Sequence, residues 1–131
     1  MMDCLRSYTL NNGLLVNVIN KTSRYFGEYF TVFLELVSEI PVKREYFSTD
    51  VDFMDACSLL GEKQLYVRQI KKHGVYEKDI NAIIEEALKY FEEHSLPYLN
   101  HEQFLRKFII KRFKEEKRKA EIKKLRDKIS E

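Results

Sequence analysis

Twelve Lys and Arg residues fall between Phe104 and Lys128 against four Asp and Glu, about +8 in a chain of net charge +2, so the remainder stands near −6. Clustered cations attract phosphate, an anionic surface or an acidic partner. The residues offered for such contact are Lys111, Lys114, Lys117, Arg118, Lys119, Lys123, Lys124 and Arg126. Phosphate binding favours cations gathered on one face, where several counterions are released together. Helical spacing instead spreads them round the axis, with Arg106, Lys117, Lys124 and Lys128 opposite Lys107, Lys111, Lys114 and Arg118. A protein partner is therefore the leading expectation. Sequence-independent binding of nucleic acid phosphates by residues 106–128 is the alternative.

Ile122, Leu125 and Ile129 interrupt the cations at heptad-like spacing. Carrying that register backwards puts Arg118, Glu115 and Lys111 on the seam, which excludes a long coiled coil. The three also make too narrow an apolar face for a helix lying on a membrane, so no membrane partner is expected.

A second cluster, Arg24, Tyr25 and Phe26, joins a cation to aromatic rings, a combination that stacks on bases. Asp50, Asp52 and Asp55 lack the spacing of a calcium loop and read as acids at a helix start. His101-Glu102 opens like a zinc-protease helix, but position 105 is Leu and the second ligand is missing. Glycines at 13, 27, 61 and 74 alone preclude a P-loop or dinucleotide fingerprint. No G-x-S-x-G elbow occurs. No cofactor or metal is expected, and the reading leans away from an enzyme. A small-molecule enzyme without a recognisable motif is the third class considered. No motif matches a known family's pattern closely enough to transfer residues.

Cys4 and Cys57 are too few for a disulfide framework and suit a reducing compartment. No stretch has the form of a secretory signal or reaches the length of a membrane-spanning helix. The expected location is cytoplasmic. With 44% hydrophobic and 13% aromatic residues in 131, one packed domain is expected over 1–113, followed by a basic, exposed helical extension over 114–131.

The expected fold is α+β: an antiparallel β-meander of about four strands covered on one face by two C-terminal helices, the last extended as a basic tail. Leu5–Leu10 and Leu14–Ile19 flank Asn12-Gly13, which predicts a two-residue hairpin turn. A turn around Ser23–Gly27 leads into a strand over 28–37, and a basic edge strand is read over 63–73, closed by Gly74. Between them Val51, Met54, Cys57 and Leu60, spaced by three, predict a short helix that Gly61 stops. Ile80, Ile83, Ile84, Ala87, Leu88 and Phe91 lie on one helical stripe and predict a helix over 77–94. After Pro97, Asn100 with Gln103 predicts a capping box for a helix buried through Phe104, Leu105, Phe108, Ile109 and Phe113. Beyond Phe113 the buried stripe ends, and i,i+4 pairs such as Lys111/Glu115, Arg112/Glu116 and Lys123/Asp127 are expected to support an exposed helix.

Overall fold

The computed structural model describes residues 3–129, so the last two residues of the expected extension lie outside it. The α+β class and the antiparallel sheet are present. Strands β1 (Asp3–Thr9), β2 (Leu15–Asn20), β3 (Ser23–Phe26) and β4 (Tyr29–Pro41) come first, then helix α1 (Asp50–Leu60), strand β5 (Lys63–Tyr76) and helices α2 (Ile80–His94), α3 (Leu96–Leu99) and α4 (Phe104–Ile129). The chain divides into two compact units. The first takes the residues up to Glu39 and Leu65–Glu102, the second Ile40–Gln64 and the residues from Gln103 on.

In the first unit the order is β1-β2-β4-β3, and β5 adds to β4. β2 and β3 are two pieces of one arm, because their pairing to β4 keeps one register from Asn17↔Val37 to Arg24↔Phe30. That continuity is why a reading of about four strands fits a sheet assigned five. At the interruption Lys21 N donates to Phe33 O at 2.8 Å, and the Thr22 hydroxyl accepts from Phe33 N at 3.2 Å. Ser23–Phe26, expected as a turn, is strand; the reversal comes one step later, at Gly27, whose φ of +57 needs no Cβ to be accommodated.

The first hairpin is wider than its Asn-Gly pair suggested. Leu10 N donates to Leu14 O at 2.9 Å, which encloses three residues, and only Gly13 takes a positive φ. Asn12 is held elsewhere: its amide donates to Leu99 O at 2.7 Å, while its carbonyl accepts from Leu14 N at 3.1 Å. Asn100, read as a helix cap, accepts from Asn11 N at 2.8 Å and ends α3 instead. One sheet face buries Val16, Val18, Val32, Leu34 and Leu36, and the α2 stripe buries Ile84, Leu88 and Phe91. β5 runs past Gly74 to Tyr76.

In the second unit α1 packs against α4. Thr49 caps α1, accepting from Asp52 N at 3.1 Å. The spacing of three misplaced the buried face, since a true helix drifts from it by about 60° per step. Val51 and Met54 are 68% and 69% exposed, and Ala56 and Leu60 are the buried pair. α4 runs without a break through residue 113, with Phe104, Ile109 and Phe113 buried.

Candidate functional site

Two elements of the second unit enclose a cleft of about 860 Å³, the segment 46–52 on one wall and the first half of α4 on the other. Its floor is apolar. Tyr46, Phe47 and Phe113 are each 6–7% exposed, and the Phe113 ring meets Phe47 edge-on at 5.5 Å, a favoured aromatic geometry. Burial pushes the Tyr46 phenol up. Ile110 completes the floor, Ser48 and Gln103 its polar edge.

Five cations line this cleft: Arg106, Lys107, Lys111, Lys114 and Lys117. At about 100° per residue all five fall inside an arc of about 140° of α4. The two groups of cations expected on opposite sides are separated by only about a quarter turn, and one groove takes members of both. The other side of the helix carries Arg112, Lys119, Lys123 and Arg126.

Arg112 decides how the charge is distributed. It donates to Glu115 at 3.0 Å, meets Glu116 at 3.6 Å, and its Nε donates to Gln64 at 3.2 Å. Lys119 also meets Glu116, at 3.2 Å. The guanidinium fork can hold two carboxylates at once, which an ammonium does less well. Of the expected i,i+4 pairs, Arg112/Glu116 forms; Glu115 goes to Arg112 rather than Lys111 or Lys119. Arg106, Lys107, Lys111 and Lys114 make no ion pair among the described residues, and Lys117 lies over the Phe113 ring at 5.6 Å. Two carboxylates, Asp52 and Glu115, also line the cleft, and Glu115 is already paired.

Of the eight cations named from sequence, Lys111, Lys114 and Lys117 share the cleft; Arg118, Lys119, Lys123, Lys124 and Arg126 do not line it. The opposing wall, Tyr46, Phe47, Ser48 and Asp52, is not among the residues the sequence singled out for contact, because nothing local ties it to residues 106–117. A signal was present within α4, where Arg106, Ile110 and Lys114 repeat at i, i+4 and i+8 with an apolar residue between cations.

From Glu121 to Ile129 every residue is exposed. Ile122, Leu125 and Ile129 are 44%, 62% and 85% accessible.

The aromatic cluster belongs to the first unit, and its three side chains do not converge. Arg24 lies over the Phe30 ring at 5.6 Å, the Tyr25 ring sits 6.0 Å from His73, and Phe26 is 77% exposed. The register shift between Arg24 and Phe26 breaks the alternation that would put both on one face. Asp50 accepts from Arg44 at 2.5 Å. Among the described residues no cluster of His, Cys, Asp and Glu is arranged to hold a metal, both cysteines are free, and no helix is long and apolar enough to cross a membrane. No family model, curated protein or solved structure matches the chain.

Proposed function

We propose that the chain is a small non-enzymatic interaction module that docks a partner protein through the basic extension, using the distal turns of α4. The observation that carries this is the exposure of Ile122, Leu125 and Ile129 on a helical segment, residues 121–129, that has no buried residue. Single exposed apolar residues are ordinary. Three along one side of an extended basic helix match the anchors of helix-in-groove recognition, and the cations around them favour an acidic rim on the partner. Free Cys4 and Cys57 are in keeping with a reducing, cytoplasmic setting.

The test is affinity purification from the native cell with the full chain and with the variant Ile122→Glu/Leu125→Glu/Ile129→Glu. The wild-type chain should retain a protein companion that the variant loses. Equal recovery by both would refute docking through this stripe.

A further inference from the structure

We infer that the cleft between residues 46–52 and the first half of α4 is a binding site for a single strand of nucleic acid, held by its phosphates without reading of sequence. The site is separate from Ile122, Leu125 and Ile129, so it does not depend on the protein-docking reading.

Charge density carries the argument. Arg106 and Lys117 are eleven residues apart, about 16.5 Å along the helix, so the five lining cations are spaced on average about 4 Å along its axis. Each strand of a duplex carries about one negative charge per 3.4 Å of axis and the duplex twice that, so the lining is closer to the charge of one strand than of two. An acidic peptide would match only if nearly every residue were acidic, since an extended chain rises about 3.3 Å per residue.

The cations are also available. Four make no ion pair among the described residues, and Glu115, the acid one turn from Lys111, is held by Arg112. A phosphate therefore displaces counterions rather than a carboxylate. The charges are spread along about 16.5 Å of helix in a band and do not converge on a point, which suits an extended polyanion better than a compact phosphorylated metabolite. Four of the five are lysines, point charges that follow a flexible backbone without demanding the paired geometry that an Arg fork imposes. The cleft volume is in the range that encloses small organic groups. It accommodates nucleotides of one strand, whereas a rigid double helix has to stay outside it.

The test uses the full chain and fluorescence anisotropy of a labelled oligothymidylate across a salt series. Five phosphate contacts at about 0.7 each predict a slope of log K against log salt near −3.5, which is about a 130-fold loss between about 50 and about 200 mM. The variant Lys107→Gln/Lys111→Gln/Lys114→Gln should show a slope near −1.4 and lose only about sevenfold over that range, having already lost affinity at the low end. All three side chains are exposed and make no ion pair among the described residues, so its circular dichroism and Tm should match those of the wild type. The variant Lys123→Gln/Lys124→Gln/Lys128→Gln, with the same charge change outside the cleft, should keep the wild-type slope. The inference is overturned by no binding at the lowest salt, by an equal fall in slope for both triple variants, by a duplex of the same length binding as tightly, or by poly-glutamate displacing the strand at equal charge concentration.

Discussion

A chain stopped after Ala120 should be as stable as the full chain, while the single change Phe113→Ala, seven residues earlier in the same helix, should unfold it far more readily. Phe113 is 6% exposed and meets Phe47 at 5.5 Å. A buried Phe withdraws about 150–250 Å² from water. At about 25 cal/mol per Å² this is roughly 4–6 kcal/mol, part of which an alanine methyl retains. Together with the cavity left behind, the expected destabilisation is about 3–5 kcal/mol. Residues 121–129 are all exposed, and removing them forfeits only helix-end terms of at most about 0.5 kcal/mol. Urea unfolding separates the two, followed by circular dichroism and by tyrosine emission, the chain having eight Tyr and no Trp. With a urea m-value of about 2 kcal/mol/M, Phe113→Ala should lower the midpoint by about 2 M and the truncation by less than about 0.3 M. A truncation that costs more than about 1 kcal/mol would mean that the distal turns support the fold, and it would remove the ground for treating them as free to dock.

Other parts of the structure give further expectations. Asn12→Ala removes donors to Leu99 O and an acceptor for Leu14 N and should cost about 1–3 kcal/mol in chemical denaturation; a neutral result would mean that these bonds are replaced by water. Thr49→Ala should cost about 1 kcal/mol, and Thr49→Ser much less, since the hydroxyl that accepts from Asp52 N is kept. Burial pushes the Tyr8, Tyr46 and Tyr66 phenols up, so their stabilising contribution is intact below the unfolded value near pH 10 and is lost as pH rises through the folded values; Tm should fall on the alkaline side, less steeply in Tyr66→Phe. The Lys21 ammonium and then Gln69 hold the Glu35 carboxyl below its usual range; that contribution is present above the unfolded value near pH 4.3 and fades on acidification, and Glu35→Gln should flatten the acid limb of the Tm profile.

Long periodic segments were the most legible. The stripe from Ile80 to Phe91 named the buried face of α2, and β4's alternation named Val32, Leu34 and Leu36. Short signals misled where tertiary contacts recruit the same side chains. Asn12 and Asn100 have the chemistry of turns and caps, yet both are engaged by the clamp between the first hairpin and residues 99–101. Val51 and Met54 are exposed because α1 meets α4 on its Ala56 and Leu60 side, and a run of eleven residues contains no information on which side the partner helix lies. The exposed apolar stripe of α4 was readable, since its angle to Phe113 follows from helix geometry alone. The cleft was not, because its second wall lies more than fifty residues away in sequence.

The same limit explains why charge counting understated the site. Along the chain the acids of α4 interrupt the cations, and a one-dimensional average dilutes both. In three dimensions one side chain undoes the dilution: Arg112, on the side of the helix away from most of the lining cations, takes Glu115 and Glu116, and Lys119 shares the second. What is left over the cleft is a band of cations with two carboxylates, one of them already engaged. Electrostatic character is thus set by which acids are neutralised from which side. An opposed reading, that the band is only a solvated helix face, also leaves its cations unpaired. It gives no role to the facing wall at Tyr46, Phe47 and Ser48, and it predicts equal salt slopes for cleft and distal variants, where the phosphate site requires them to differ by about 2.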